Sequence, residues 1–375
     1  MAGIYIHIPF CAQACHYCDF HFSTSLKLKK RVISAMKKEI IQQKKYLDNS
    51  MIKTIYFGGG TPSLIQSAEI QDIYNTIQHN FILSDDVEFT IEANPEDITE
   101  SLVASWHQIG INRVSLGVQA FKDKDLRYMN RIHTSRQSFR ALELLKKSKI
   151  KNLSVDLIYG FPNLSDSTWE ESLDIILKFD PQHISCYSMT VEKKTPLFHL
   201  IKKGVYSKLN FDQANRQFLI ARKKLRNSGY AHYEISNFAK DGHFSLHNTG
   251  YWNKTHYLGI GPSAHSFNGQ TRQWNINNNL KYSHAIENNL QHYDVEKLSR
   301  KNMINEYILT RLRTSSGIKQ DVVSCKMTRQ EYQKFNKEIE KFIDLGLIQK
   351  NHNSLSCTES GMLIADSISS DLFLI

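Results

Sequence analysis

Nowhere in this chain do about eighteen apolar residues follow one another, which excludes the ordinary membrane-spanning helix. The amino terminus lacks a basic segment followed by an apolar one, so no export signal is read there and a cytoplasmic protein is expected. Cysteine is sparse: of the six, Cys186, Cys325 and Cys357 are scattered and read as small apolar residues. A disulfide framework is therefore not expected. No helix-turn-helix, zinc-finger or RNA-binding signature accompanies the net charge of +10 and pI near 9.1, so no specific nucleic-acid partner is expected. The pairs Lys29-Lys30, Lys37-Lys38, Lys44-Lys45 and Lys146-Lys147 fall in helical patterns and read as solvated faces. A dianionic small molecule or an anionic membrane surface would equally welcome the charge. Internal repeats and low-complexity tracts are missing too.

What is present starts with Cys11, Cys15 and Cys18, three thiols within eight residues. They are too close together for three disulfide partners and suit one inorganic centre. An iron–sulfur cube normally takes four cysteines, so three leave one iron open for chemistry. The competing reading is a structural zinc site with His7, His16 or His21 as fourth ligand, and with it a zinc-stabilised nucleic-acid-binding protein. Some forty residues on, a β-branched and aromatic run ends in Gly58, Gly59 and Gly60, which permit positive φ and let backbone approach a ligand.

With 375 residues, 41% of them hydrophobic and 22% charged, the chain has room for a barrel-sized domain and a smaller one. Strand-like runs at residues 3–8, 54–57, 87–93, 113–118, 153–158 and 183–188 alternate with helical patterns at 26–45, 67–78, 99–108, 135–147 and 168–178. Such alternation argues for parallel βα units. In a barrel of such units, ligands sit at the carboxyl ends of the strands, where Glu92, Gln119, Arg131 and Asp156 fall.

The CxxxCxxC spacing, Tyr17 just before the third cysteine and the glycine run after the second strand together resemble the radical S-adenosylmethionine (radical SAM) superfamily. The resemblance implies an α/β fold: a partial (βα)6 barrel of TIM type with a [4Fe-4S] cluster on Cys11, Cys15 and Cys18. S-adenosylmethionine would chelate the open iron, and one electron would cleave it to methionine and a 5′-deoxyadenosyl radical. From Tyr5 to Asp156 the chain resembles the coproporphyrinogen-dehydrogenase-like branch. That resemblance implies a cofactor site lined by Tyr5, Tyr17, Gly59, Gly60, Thr61, Glu92, Gln119, Arg131 and Asp156. The carboxylates and Gln119 would then bond ribose hydroxyls and the amino group, Arg131 a carboxylate, and Tyr17 would face the adenine.

Within the branch, the oxygen-independent coproporphyrinogen dehydrogenase carries a further cysteine two places after the third and a long segment before the cluster. Here Phe20 holds that place, and ten residues precede Cys11. The sequence is more similar to the haem chaperones of the branch, which read Cys-Asp-Phe and carry HNxxYW, here His247, Asn248, Tyr251 and Trp252. This implies haem as a ligand, with His247 on its iron. It also implies apo-haemoproteins as recipients, membrane-bound ones among them, reached by peripheral contact; a homodimer is a further expectation. The expected organisation is a core barrel over 1–235, a barrel-closing segment with the motif over 236–300, and a mostly helical, winged-helix-like module over 301–375. Helical patterns at 302–313 and 328–345, a hairpin-like 346–357 and a last helix from Glu359 make up that module. Its wing carries little charge, which favours a lid or docking role over DNA binding.

Overall fold

In the computed structural model, which describes residues 1–375, the alternation folds as consecutive parallel βα units. The strands are β1 (Ala2–Ile8), β2 (Ile52–Gly59), β3 (Leu83–Ala93), β4 (Arg113–Gln119), β5 (Asn152–Tyr159) and β6 (His183–Ser188), each parallel to the next. Between them lie α1 (Lys29–Gln42), α2 (Ser67–Asn80), α3 (Glu100–Ile109), α4 (Asp123–Tyr128), α5 (Ser135–Lys147) and α6 (Asp166–Phe179). Helix starts are fixed locally: Thr99 accepts from the Leu102 amide, Thr134 forms a capping box with Gln137, and Ser165 caps α6.

Side chains alternate across each strand. Ile4, Ile6, Ile8, Ile55, Phe57, Phe89, Ile91, Val114, Leu116, Val155 and Leu157 are buried, and they form the face against the helices. The opposite set is polar: Tyr5 and His7, Thr54 and Tyr56, Thr90 and Glu92, Ser115, Asp156, His183 and Ser185. The strands thus enclose a lumen built to bind rather than a packed apolar core.

The chain then adds strands to both sides of these six. Helices α7 (Pro196–Lys202) and α8 (Phe211–Asn227) lead to β7 (Ala231–Glu234) and β8 (Asn237–Ala239), which extend the sheet beyond β6. After α9 (Leu246–Trp252), strand β9 (His256–Ile260) crosses to pair in parallel with β1. Antiparallel β10 (His265–Phe267), β11 (Thr271–Asn275) and β12 (Tyr293–Lys297) follow, with α10 (Asn279–Glu287) before the last. One twelve-stranded sheet results, in the order β12-β11-β10-β9-β1-β2-β3-β4-β5-β6-β8-β7. The strands of 236–300 lengthen the barrel sheet, while α9 enters the lumen.

The last module comprises α11 (Arg300–Leu312), β13 (Ile318–Lys319), α12 (Gln320–Lys326), α13 (Arg329–Asp344), β14 (Ile348–Asn351), β15 (Ser354–Cys357), α14 (Glu359–Met362) and α15 (Ala365–Asp371). Three helices and a small antiparallel sheet, β13-β15-β14, give the winged form. The single terminal helix expected from Glu359 is in fact two, broken at Leu363 and Ile364. Ion pairs Arg222–Glu359 at 2.7 Å and Arg313–Asp366 at 2.5 Å fasten these short helices over the carboxyl ends of the barrel strands.

One buried carboxylate ties α1 to the added strands. Glu39 is 1% exposed and accepts from the Gly261 amide at 2.8 Å, Asn275 Nδ2 at 2.6 Å and the Tyr282 hydroxyl. His292 Nε2 lies 3.2 Å away. Its removal leaves several buried donors without an acceptor, so Glu39→Ala should lower the unfolding free energy by about 3–5 kcal/mol. Chemical denaturation measures this, and a loss below about 1 kcal/mol would contradict the assigned role.

Candidate functional site

The cysteine loop starts where β1 ends and is held from below by the glycine turn after β2. The Gly60 amide donates to the Ile8 carbonyl at 2.8 Å and the Thr61 amide to the Phe10 carbonyl at 2.7 Å. A Cβ on Gly60 would lie 2.6 Å from Phe10 O, 2.7 Å from Ile8 O and 2.9 Å from Phe10 N. A Cβ on Gly59, whose φ is +106°, would strike the His7 ring, and one on Gly58 would strike Glu92 Oε1. The glycines are therefore demanded first by the chain's own close packing, although Gly59 and Gly60 also face the cavity described below. Further along, the His16 amide donates to the Met129 carbonyl, Gln13 to the Asn130 carbonyl, and Asn130 back to the Ala14 carbonyl.

Cys11, Cys15 and Cys18 are free thiols that open on a cavity of about 1000 Å³ at the carboxyl ends of the strands. Burial pushes the Cys11 thiol up to about 11 and the Cys18 thiol up to about 12, so without a cation both keep their protons. No three His, Cys, Asp or Glu side chains converge on a single ion. Of the histidines considered as a fourth zinc ligand, His7 has both ring nitrogens engaged elsewhere and His16 and His21 have one each. His7 bonds the Tyr5 hydroxyl and the His21 carbonyl, His16 Nδ1 the Tyr128 carbonyl, and His21 Nε2 Asn279 Oδ1. Three spread thiols with no fourth protein donor suit a cube in which each sulfur takes its own iron.

Tyr17, Thr61, Glu92, Gln119, Arg131 and Asp156 line the same cavity, brought together from five loops and strand ends. Arg131 donates from Nη2 to Asn94 Oδ1 at 2.5 Å and to the Gly117 carbonyl at 3.1 Å, and Nη1 lies 3.5 Å from Cys15 Sγ. Its Nε has no partner, nor has Gln119 Oε1, and both are buried. A bulge between β4 and β5 puts Gln119 at φ 64°, the left-handed region, which turns the amide into the cavity. Burial raises Asp156, which accepts from the Ser115 hydroxyl at 3.2 Å. Burial likewise pushes Glu92 up to about 7, against donation from the Tyr56 hydroxyl at 2.8 Å and the Gly59 amide at 3.2 Å. Sequence reasoning missed Asn94 as the partner that orients Arg131, although its place two residues after Glu92 was a signal.

Tyr5 and His247 do not join this group. They line a second cavity of about 250 Å³ with Tyr56, Glu92, Tyr187, Asn248 and Tyr251, and Glu92 and Tyr187 border both spaces. His247 shares hydrogen bonds with Thr54 Oγ1 at 2.8 Å and the Tyr251 hydroxyl at 2.9 Å, which occupies both ring nitrogens. Burial, with Arg113 nearby, lowers its imidazole to about 3. The amides of Leu246 and His247 donate to buried Glu88, and Trp252 lies 5.6 Å beneath the Arg313 guanidinium. In this structure the HNxxYW residues plug the lumen and reach toward the terminal module.

The large cavity continues past the polar group to Phe20, Phe22, Phe211 and the Met362–Ile364 break, which sequence reasoning did not foresee as one wall. No histidine lines it. Because backbone cannot yield as a flexible side chain does, Gly60→Ala should displace the cysteine loop. After anaerobic reconstitution, iron and sulfide per chain are expected to fall several-fold with circular dichroism unchanged; full loading would show that the contact is not limiting.

A model of the radical SAM superfamily matches residues 5–176, and one of the HemN C-terminal domain matches 298–364. The chain is 32% identical over 372 residues to the heme chaperone HemW of Bacillus subtilis (strain 168), covering 98% of each chain. It is 29% identical over 364 residues to HemW of Lactococcus lactis subsp. lactis (strain IL1403), covering 97% of this chain and 95% of that relative. The solved structure of coproporphyrinogen III oxidase (HemN) from Escherichia coli, a radical SAM enzyme, has a TM-score of 0.83 at 20% identity. That match covers 99% of this chain and 90% of the other, and shows a shared fold. By sequence over its whole length and by architecture, the chain belongs to the HemW family of radical SAM proteins.

Proposed function

We propose that this protein is a haem chaperone that binds haem, carries a [4Fe-4S] cluster and S-adenosylmethionine, and delivers haem to apo-haemoproteins. The observation that carries the reading is the match to HemW over 98% of each chain. Phe20, in place of the further cysteine of the dehydrogenase, supports it. Cys11, Cys15 and Cys18 hold the cluster, which when bound supplies a low-potential electron and an open iron for the cofactor's amino and carboxylate groups.

The chain's own residues position that pair. Arg131, kept in place by Asn94, sets a permanent positive charge beside Cys15 and has an unused Nε–H to offer a carboxylate. Gln119 Oε1 is free to accept from an ammonium or a ribose hydroxyl. Glu92, held near 7 by burial, ionises more readily when a ligand cation arrives beside it. Asp156 plays the same part from β5, while Gly59, Gly60 and Thr61 fix the backbone and Tyr17 offers its ring. Tyr5 acts from below, through the layer that carries Tyr56 and Glu92. His247, as the haem-iron ligand of this reading, would have to give up its bond to Thr54 or to Tyr251.

The division of labour follows the chain: 1–235 holds the cluster and S-adenosylmethionine, 236–300 fills the open side, and 301–375 covers the mouth. A cytoplasmic location, peripheral contact with membranes that hold respiratory haemoproteins, and a homodimer complete the proposal. The shared fold with the Escherichia coli oxidase favours a second reading, oxidative decarboxylation of coproporphyrinogen III.

Anaerobic incubation of reconstituted protein with S-adenosylmethionine, reductant and either haem or coproporphyrinogen III separates the two. Expected are a broad cluster absorption near about 400 nm, haem uptake with transfer to an apo-haemoprotein, and no decarboxylated porphyrinogen. Decarboxylated product would establish the second reading, and a colourless, iron-free protein would overturn both.

A further inference from the structure

The cysteine loop has two sides. One opens on the large cavity, and the other is roofed by the excursion between β6 and α8. The Leu197 amide of α7 donates to the His16 carbonyl at 2.8 Å, and the Leu197 side chain is fully buried, so α7 is anchored on the loop beside Cys15. Over the same place the His16 imidazole meets the Tyr206 ring with centroids 5.7 Å apart, and Tyr206 stacks on Tyr128 at 4.4 Å. His16 Nδ1 and the Tyr206 hydroxyl both bond the Tyr128 carbonyl, at 2.9 Å and 3.4 Å. All three rings are half-buried, and none lines the cavity. A packed aromatic group thus runs from the residue next to Cys15 toward solvent, on the side away from the ligand space.

Around this group the surface is cationic. Lys193, Lys194, Lys202, Lys203 and Lys208 are all exposed, and no acidic residue lies between 193 and 211. Arg127, exposed beside Tyr128 on α4, adds a guanidinium. The carboxylates of that helix do not offset it: Asp123 accepts from the Ser135 amide at 2.7 Å, and Asp125 is buried. Val205, 62% exposed, stands next to Tyr206 in the middle of the lysine stretch. A small apolar centre with a rim of one charge suits a short-lived encounter steered by a partner of the opposite charge.

The chemistry proposed above needs such an encounter. Cleavage of S-adenosylmethionine consumes one electron, and no amino-acid side chain supplies an electron at so low a potential, so a second molecule must bring it. Electron transfer through protein falls steeply with distance, and this face lies directly over the loop that carries Cys15. We propose that the face formed by residues 193–208 and Arg127 is the docking site of an acidic one-electron carrier, a reduced flavin or iron–sulfur protein, whose centre is set over Tyr206 and Tyr128. The carrier gives up one electron and the cluster takes it; no proton or group moves, and the three rings act as packed medium without being oxidised. The proposal rests on the reading that Cys11, Cys15 and Cys18 hold a [4Fe-4S] cluster. An anionic membrane would also be drawn to the lysines, but it has no use for an aromatic group leading to the cysteine loop.

The test mixes full-length, cluster-loaded protein anaerobically with two probes, an acidic FMN protein reduced to the hydroquinone and a reduced acidic ferredoxin, and follows oxidation of each carrier by its own absorption. At least one is expected to be oxidised by the wild type, with a rate that falls at least tenfold between about 50 and 500 mM salt. Lys202→Glu/Lys203→Glu/Lys208→Glu should slow that reaction at least tenfold at the lower salt and weaken binding of the oxidised carrier, measured by calorimetry, by a similar factor. Iron content, S-adenosylmethionine binding and the extent of reduction by dithionite should not change. A control, Lys147→Glu/Lys149→Glu/Lys151→Glu, makes the same charge change on exposed residues at the opposite end of the barrel and should leave rate and binding within about twofold of wild type. Oxidation of neither carrier by protein that dithionite reduces, equal rates in wild type and the lysine variant, or an equal loss in the control would overturn the assignment. Loss of binding to phosphatidylglycerol vesicles in the lysine variant, with carrier oxidation intact, would overturn it too and make the face a membrane contact. A wild-type protein with no cluster for dithionite to reduce would instead remove the reading on which the assignment rests.

Discussion

Two stretches of backbone at the ends of β1 and β2 meet with no side chain between them, and the cysteine loop is seated on that contact. The amides of Gly60 and Thr61 bond the carbonyls of Ile8 and Phe10, so Cys11 begins one residue beyond a fixed point. The contact follows from strand register, in which Ile8 lies opposite Gly59. A slip of one residue would reverse the faces of β1 and turn Tyr5 and His7 toward the helices. The geometry of three thiols thus depends on a parallel ladder that itself holds no cysteine.

The same alternation explains why the lumen is polar. Isoleucine, valine and leucine on the outer face bury against six helices and supply the apolar core, which leaves the inner face free for Glu92, Ser115, Asp156 and His183. Polar groups in such a space need partners. Most have them, as in the Tyr56–Glu92–Gly59 and Ser154–His183–Tyr233 chains. Gln119 Oε1 and Arg131 Nε lack one where the cavity opens, and Thr90 Oγ1 and Arg113 Nε and Nη1 lack one lower in the lumen. Unmet donors and acceptors therefore occur at both levels of the lumen, and those of Gln119 and Arg131 are the ones beside the thiols.

How much was legible in the sequence depends on which of these features are local. Cysteine spacing, the glycine run and the six strand-helix pairs are local patterns, set by ligand reach, backbone sterics and side-chain period, and the structure reproduces them. Arg131, Gln119 and Asp156 were readable because strand ends converge in any barrel of this type. The surroundings of His247 were not: the motif is local, but the partner that takes its Nδ1 is Thr54, 193 residues earlier in the chain. The outer cavity wall joins residues 20, 211, 313 and 362–364, whose proximity depends on docking the terminal module through Arg222–Glu359 and Arg313–Asp366. No periodicity reports such long-range meetings. The added strands on both flanks were similarly hidden, being three to five residues long and set among loops rich in histidine and tyrosine.

A twelve-stranded sheet that does not close has two rims, and each must be kept from recruiting a neighbour's backbone. At the β7 rim the chain itself does so: Glu234 bridges to Thr314, and the Ser315 amide donates to the Tyr233 carbonyl. At the β12 rim, Asp294, Glu296 and Lys297 stand exposed on a five-residue strand. Antiparallel self-pairing centred on Val295 would set Asp294 against Glu296, acid facing acid. The width that makes room for two cavities is thus guarded against fibre-like growth by a covering loop on one flank and by mismatched charge on the other.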